Sequence, residues 1–199
     1  MIRCALASWL SRYTLTLDRD VQQTSDGGIM SNQLIWSKIG LIRLVNKSQL
    51  MVTMGDHAPY AIRELLREAN DFVTAPSVDV ISAKLEAPCT TWALILSGYD
   101  IVALSRATQS KNIPDTYIVN DVFVRQGWRR KGLGTIAMRR LQNEIRLRRM
   151  SGQRLQRFRV VLYPHQRMDS FYFGLGYEVV GRWIENGALL LKKNVMGPP

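Results

Sequence analysis

Apolar residues recur along this chain at regular spacings, and each spacing predicts one kind of secondary structure. Over residues 62–73 they lie three or four positions apart, which places them on one stripe of a helix. A similar spacing recurs over 133–149. Ser77 is a candidate N-cap for a shorter helix that ends near Leu85, and another short helix is expected over 169–175. The pattern therefore predicts four helices.

Runs rich in β-branched and aromatic residues predict the strands. Two apolar runs, 92–96 and 101–104, are joined by Ser97-Gly98-Tyr99-Asp100, which is a hairpin signal. An apolar stretch over 35–45 is followed by a turn-like Asn-Lys-Ser and by 51–54, so a strand pair is expected there. Further strands are expected at 116–124, 158–163, 177–182 and 188–192. Strands interspersed with helices favour a mixed α/β fold.

The length of 199 residues matches one ordinary domain with short appendages. We expect the domain over 35–195, an N-terminal arm over 1–34 and a C-terminal tail over 196–199. The first seventeen residues contain two arginines and no acid. This composition is compatible with a mitochondrial presequence, and a docking arm is the alternative interpretation.

The composition excludes several classes of protein. With 46% hydrophobic and 22% charged residues the chain is neither collagen-like nor wholly disordered. No apolar run approaches the roughly 18 residues that a membrane-spanning helix needs. Cys4 and Cys89 form no C-x-x-C pair and lie near no histidine cluster, so we expect neither a disulfide framework nor a metal site. An intracellular protein is expected, with the cytoplasm favoured over the mitochondrion.

Charge divides the chain into two unlike parts. The formal net charge is +11, and residues 121–169 hold thirteen Lys or Arg against three acids. The basic segment over 125–167 favours a partner that carries phosphate or carboxylate, such as RNA or an acidic protein. Residues 55–86, in contrast, contain six acids and three bases. That acidic part is expected to attract a cation.

The most informative stretch is the loop between Val124, where a predicted strand ends, and the helix that begins near Leu133. Gly132 and Gly134 let backbone N–H groups and the positive end of that helix face an anion with no side chain in the way. The phosphate-binding loop G-x-x-x-x-G-K-[ST] does not occur in the chain. A dinucleotide fingerprint fits less well, because seven residues separate Val124 from Gly132 and no acid follows at the spacing that holds a ribose.

Two motifs resemble those of the GNAT N-acetyltransferase superfamily. The segment Arg129-Arg130-Lys131-Gly132-Leu133-Gly134 has the form Arg/Gln-x-x-Gly-x-Gly/Ala, and it resembles the family's acetyl-CoA-binding signature. Residues 165–177 resemble the second family motif, with His165, Tyr172 and Gly176 at matching positions. The separation of the two motifs and the order of the predicted elements are also similar to those of the family.

The resemblance implies a GNAT-like α/β fold, in which a mixed, mostly antiparallel sheet is flanked by helices and its central strands splay apart. It also implies acetyl-CoA as the cofactor, bound by residues from both motifs. Those residues are Val122, Phe123, Val124, Arg129, Arg130, Lys131, Gly132, Leu133, Gly134, Thr135, His165, Ser170 and Tyr172.

The same resemblance implies the catalytic candidates. Tyr172 takes the place of the family's general acid, which protonates the leaving thiolate. The positions that relay a proton from the acceptor amine in many family members are Ile118 and Asn120 here, and neither is a base. Asn120 is a catalytic candidate because its amide can hold a water molecule. Asp121 is expected on the opposite face of the strand, because side chains alternate along it.

The expected function is transfer of an acetyl group from acetyl-CoA to an amine by direct attack. The acceptor is expected to be an amine-bearing small molecule or protein. The alternative is a GNAT-like binding module that docks on RNA or an acidic partner through its Arg-rich face, with weak or no catalysis.

Overall fold

Seven strands form a single sheet within the residues that the computed structural model describes, which are 42–69, 76–151, 157–164, 168–182 and 189–195. The strands are β1 (Ile42–Asn46), β2 (Thr90–Ser97), β3 (Asp100–Gln109), β4 (Thr116–Val124), β5 (Phe158–Leu162), β6 (Glu178–Arg182) and β7 (Leu189–Val195). Their order across the sheet is β1-β2-β3-β4-β5-β7-β6. Neighbouring strands are antiparallel except β4 and β5, which are parallel.

Helices and short 3-10 turns connect these strands. They are α1 (Lys47–Met54), a 3-10 turn (Gly55–His57), α2 (Ala58–Ala69), α3 (Val78–Glu86), a second 3-10 turn (Gln126–Trp128), α4 (Leu133–Ser151) and α5 (Asp169–Gly174). The predicted helices and the strands from residue 92 onward are confirmed, with ends that differ by a few residues. The expected arm over 1–34, with the presequence-like first seventeen residues, and the tail over 196–199 lie outside the described residues.

The predicted strand pair before residue 55 is wrong in its second half. Residues 51–54 belong to α1, and β1 pairs with β2 instead. Asn46 is the cause, because its side chain accepts a hydrogen bond from the Gln49 backbone N–H at 3.0 Å. The Gln49 side chain accepts in return from the Asn46 N–H at 2.9 Å. This capping box begins a helix at residues that the sequence pattern had indicated to be a turn.

The sheet is covered on both faces, because the side chains of its strands alternate between two sets of helices. Ile62 and Leu65 of α2 pack with α1, α3 and the Trp92 side of β2. On the other face, Met138 and Leu141 of α4 pack with β4 and β5. α5 adds its buried Tyr172 and the partly buried Phe171 to this second cluster. The two faces therefore carry separate helices, with the sheet between them.

Strands β4 and β5 splay apart at the centre of the sheet. Their pairing runs from Thr116 opposite Arg159 to Val119 opposite Leu162, where β5 ends. β4 continues for five more residues, to Val124, without a β5 partner among the described residues. The predicted splay is confirmed. It leaves backbone N–H and C=O groups of β4 available on the β5 side, directly before the glycine-rich loop.

Candidate active site

The loop that follows β4 ends in a left-handed turn. Arg130 has a φ of +61° and Gly132 a φ of +78°, a conformation that a residue with a Cβ adopts only with strain. A methyl group added at Gly132 would meet nothing within 4 Å, so the space beside this residue is open. α4 begins at the next residue, Leu133, and has no acid in its first turn. The first N–H groups of that helix therefore face a region suited to an anion.

Gly134 is constrained in a different way. A Cβ at this position would lie 3.3 Å from Cζ of Phe171 and 3.7 Å from Cγ2 of Val124. The first distance is tighter than an ordinary van der Waals contact. Gly134 is therefore required for close packing of α5 against the start of α4, in addition to any approach to an anion.

Three cationic side chains lie at the surface of this loop. Arg129 donates from Nε to the backbone oxygen of Val124 at 3.1 Å, which ties the loop to the end of β4. The Nζ atom of Lys131 lies 5.0 Å from the ring centroid of Trp128, within the range of a cation–π interaction. Arg129, Arg130 and Lys131 are all exposed. Their charges add positive potential beside the N-terminus of α4.

The other predicted cofactor residues fall into three groups. Val122 packs against the α4 cluster, Phe123 against the α2 cluster on the opposite face, and Val124 beside Leu133. Thr135 is partly buried in the first turn of α4, and Ser170 is exposed on α5. His165 lies outside the described residues.

Tyr172 lies on α5, close to the glycine-rich loop. Its ring centroid is 4.9 Å from that of Phe171, the residue that packs on Gly134, and 5.9 Å from that of Tyr177. Only 8% of Tyr172 is exposed. Burial raises the pKa of its phenol to about 12. The side chain is protonated at neutral pH, as an ordinary tyrosine is, and burial makes it hold that proton more tightly. The sequence did not single out Phe171. Only the packing shows that this residue of the second motif lies against Gly134 of the first motif.

A β-bulge in the middle of β4 changes the face of the sheet on which the side chains of the central residues lie. Arg106 of β3 pairs with Asp121, but the next residue, Ala107, pairs with Val119, so Asn120 is the extra residue. Asn120 accepts a hydrogen bond from Thr108 at 2.7 Å. The Arg106 guanidinium donates to Asp121 at 2.5 Å and to Thr108 at 3.4 Å.

The expectation that Asp121 lies on the face opposite Asn120 is therefore wrong. Both residues belong to one hydrogen-bonded network with Arg106. The Arg106 guanidinium lies 5.4 Å from the Trp92 ring centroid, and Trp92 belongs to the cluster formed with α1 to α3. The bulge therefore places a carboxylate on the face that carries α1 to α3. Strict alternation of side chains fails at such an inserted residue.

Several arginines of the basic segment have intramolecular partners. Arg148 donates to the backbone oxygens of Pro88 and Thr90 and to the Thr91 hydroxyl, at 2.8–3.2 Å. Arg149 is buried and forms an ion pair with Asp115 at 2.6 Å. Arg140 pairs with Glu144, also at 2.6 Å. Arg148 and Arg149 attach α4 to neighbouring parts of the fold, whereas the Arg140 pair lies within the helix, so the positive charge of the segment is only partly a free surface.

Comparison with known proteins identifies the class. The acetyltransferase (GNAT) family model matches residues 60–177, more than half of the chain. The chain therefore belongs to the GNAT acetyltransferase family, as the two motifs implied. None of the functionally curated proteins is detectably similar in sequence. Among the described residues, no helix is long and apolar enough to cross a membrane.

Solved structures of low sequence identity share the fold. The ribosomal-protein-S18-alanine N-acetyltransferase from Escherichia coli has a TM-score of 0.57 at 10% identity, and the match covers 80% of this chain and 97% of that one. An aminoglycoside 6'-N-acetyltransferase, solved as a complex with coenzyme A, has a TM-score of 0.60 at 15% identity, covering 80% and 99%. The aminoglycoside 6'-acetyltransferase type Ii has a TM-score of 0.59 at 18% identity, covering 80% and 100%.

Proposed function

We propose that this protein transfers an acetyl group from acetyl-CoA to an amine by direct attack of the amine on the thioester. The observation that carries the proposal is the open left-handed turn at Gly132, at the N-terminus of α4 and after the end of β4 that has no β5 partner among the described residues. Membership of the acetyltransferase family supports it, as does a neighbour of the same fold that was solved with coenzyme A.

The residues of this site suit acetyl-CoA. Backbone N–H groups of the loop and of the first turn of α4 would hold the pyrophosphate, with Arg129, Arg130 and Lys131 around it. The end of β4 that has splayed away from β5, up to Val124, offers backbone groups to the extended chain of acetyl-CoA between its pyrophosphate and its thioester. Bound there, acetyl-CoA would supply an acetyl thioester as the donor. Backbone N–H groups aimed at the thioester oxygen would stabilise the charge that develops on it.

Tyr172 is proposed as the general acid. Its phenol is protonated at neutral pH, as any tyrosine with a pKa of 10 or above is, and burial raises the pKa further, to about 12. Packing against Phe171, which itself contacts Gly134, ties the ring to the loop proposed to bind the donor. A proton held at Oη of Tyr172 is thus available to a thiolate leaving group.

The acceptor is proposed to approach from the face that carries α1 to α3, where the acids of residues 55–86 attract a cationic amine. Asn120 and Asp121 lie on that face in the network around Arg106. Asn120 is proposed to hold the water through which the ammonium loses its proton. With no dedicated base, kcat/KM is expected to rise with pH until the free amine is deprotonated. A plateau near neutrality that disappears in Asp121→Asn would instead assign the base to Asp121.

A pair of glycine variants tests the proposed donor site. Gly132→Ala introduces a Cβ at positive φ, which costs about 1–2 kcal/mol, and places a methyl group in the open space. We expect calorimetric titration to show acetyl-CoA bound about tenfold or more weakly than by the wild type. Gly127→Ala is the matched control, because it lies in the same loop at an ordinary φ with nothing within 4 Å. Equal dissociation constants for the two variants would remove Gly132 from the site.

Turnover is tested separately, by release of the coenzyme A thiol with a panel of amines. The panel should include polyamines, aminoglycosides and peptides with free N-termini or lysines. An amine-dependent release of thiol supports the proposed function. Binding of acetyl-CoA without turnover of any amine would contradict the transfer reaction, and absence of binding by the wild type would contradict the proposed function altogether.

A further inference from the structure

Glu68, in the last turn of α2, contacts the loop that leaves β4 through both of its carboxylate oxygens. Oε1 accepts a hydrogen bond from the backbone N–H of Gln126 at 3.0 Å. Oε2 forms an ion pair with Nη1 of Arg125 at 3.0 Å. The two partners are adjacent residues at the start of the loop, 57 and 58 positions along the chain from Glu68. α2 and the loop are thus joined by a two-point contact.

The backbone N–H that Glu68 captures has a defined place in the loop. Gln126 is the first residue of the 3-10 turn Gln126–Trp128, and Arg125, at its N-cap, supplies no side-chain hydrogen bond to cap it. Glu68 therefore caps this turn from another element, where an acid also complements the positive end of the turn. A surface ion pair alone would contribute little, but a carboxylate bonded to a backbone N–H fixes the main chain.

The same contact is connected to the rest of the loop by short steps. Arg125 donates its backbone N–H to the oxygen of Val102 at 2.9 Å. The backbone N–H of Arg129 bonds to the oxygen of Gln126 at 3.1 Å, and the side chain of Arg129 bonds to Val124. Three residues further on, Gly132 begins the open turn before α4. These hydrogen bonds connect the backbone at Gln126 to that at Arg129, three residues before Gly132.

We propose that Glu68 is a positioning residue for the loop at 125–132, and that the affinity of this loop for acetyl-CoA depends on its two-point contact. The inference about affinity rests on the proposed function, whereas the inference about loop geometry does not. The contact of Glu68 also links two parts of the proposed site. α2 lies on the face from which the acceptor is proposed to approach, and the loop is proposed to bind the donor.

Three variants test the proposal. Glu68→Ala removes both contacts, and we expect it to bind acetyl-CoA about tenfold more weakly than the wild type. Glu68→Gln keeps an oxygen that can accept from the Gln126 N–H but loses the ion pair, so it should restore part of the affinity. Glu64→Ala is the matched control, because this glutamate lies one turn earlier on α2 and, within the described residues, pairs with the exposed Arg67 at 2.8 Å and not with the loop. Its acetyl-CoA affinity should match that of the wild type.

Hydrogen exchange in the protein without ligand separates this proposal from the proposed function. Glu68→Ala should accelerate exchange of the amides at 126–132 and leave those of β2 and β3 unchanged. When both acetyl-CoA and the amine are saturating, Glu68→Ala should reach the wild-type kcat, with its loss confined to the KM values, that for acetyl-CoA included. If the wild type binds no acetyl-CoA, the proposed function fails, and local acceleration of exchange still supports Glu68 as a positioning residue. Unchanged exchange at 126–132, or acceleration spread over the whole sheet, would overturn the proposal.

Discussion

At the scale of single residues, two glycines separated by one position meet different constraints. Gly132 has a positive φ and open space beside it, whereas Gly134 has an ordinary φ and a phenylalanine ring beside it. The family motif accounts for both glycines by close approach of the backbone to a phosphate. The structure shows that Gly134 is also needed for packing against Phe171. Substitutions at the two positions should therefore differ in their effect on stability.

Gly134→Val should destabilise the fold itself. Its branched side chain would push the Phe171 ring away from the start of α4, and overpacking of this kind costs about 1–3 kcal/mol. The free energy of unfolding in denaturant measures the effect. Replacing Phe171 by Ala in the same chain should recover part of the loss, relative to the sum of the two single variants. Full additivity of the single variants would show that the ring is not the obstacle.

Tyr172→Phe should separate binding from turnover. The phenylalanine keeps the ring contacts with Phe171 and Tyr177, so acetyl-CoA affinity should be nearly unchanged. Loss of the proton donor should lower kcat by roughly 10²–10⁴, and the lower end is expected because a thiolate leaves without much help. Tyr99→Phe, at an exposed hairpin position, is the control. A Tyr172→Phe enzyme as fast as the wild type would remove the acid assignment.

At the scale of elements, α4 is joined to its surroundings by charged side chains. Arg148 reaches the segment that leads into β2, and Arg149 reaches Asp115 before β4. These contacts change the interpretation of the basic segment, since the high arginine content of α4 partly serves the attachment of the helix. No finding favours the interpretation as an RNA-binding face.

Arg148→Met should lower the free energy of unfolding by about 1–2 kcal/mol, because three hydrogen bonds from a charged group are lost. Arg139→Met removes an exposed cation from the same helix and should change stability by less than about 0.5 kcal/mol. Denaturant unfolding compares the two variants at equal net charge. Equal stabilities would show that the contacts of Arg148 contribute nothing measurable.

At the scale of the whole molecule, buried tyrosines couple stability to alkaline pH. Burial raises the pKa of Tyr172 to about 12 and raises the pKa of Tyr177 as well. An unfolded tyrosine titrates near pH 10, so between about pH 10 and 12 the folded state binds more protons than the unfolded state. The free energy of unfolding must then fall as pH rises through this window. Below about pH 10 Tyr172 is protonated in both states, so it causes no change of stability with pH there.

The expected loss from Tyr172 is about 3 kcal/mol across the window, at up to about 1.4 kcal/mol per pH unit. Denaturant unfolding at about pH 9 and about pH 11 covers the lower half of the window and should show about 1.4 kcal/mol of this loss. Tyr172→Phe should lose less stability over this interval than the wild type, whereas Tyr99→Phe should lose as much. Parallel curves for all three proteins would show that Tyr172 titrates normally in the folded state.

The sequence by itself determined the features that depend on local spacing. α4 follows from apolar residues on one stripe, β4 from its run of β-branched residues, and the glycine-rich loop from its place between them. Such patterns are visible because neighbours in the chain are also neighbours in a helix or strand. The family resemblance was equally local, since it rested on two short motifs.

Only the tertiary structure decided which distant residues meet. The bulge at Asn120 moved Asp121 to the other face, and the contact of Phe171 gave Gly134 a second constraint. Glu68 was visible in the sequence only as one acid of an acidic segment, and its contact with Gln126 spans 58 positions. Register shifts and long-range hydrogen bonds arise from the packing of whole elements against one another, and local periodicity carries no information about that packing.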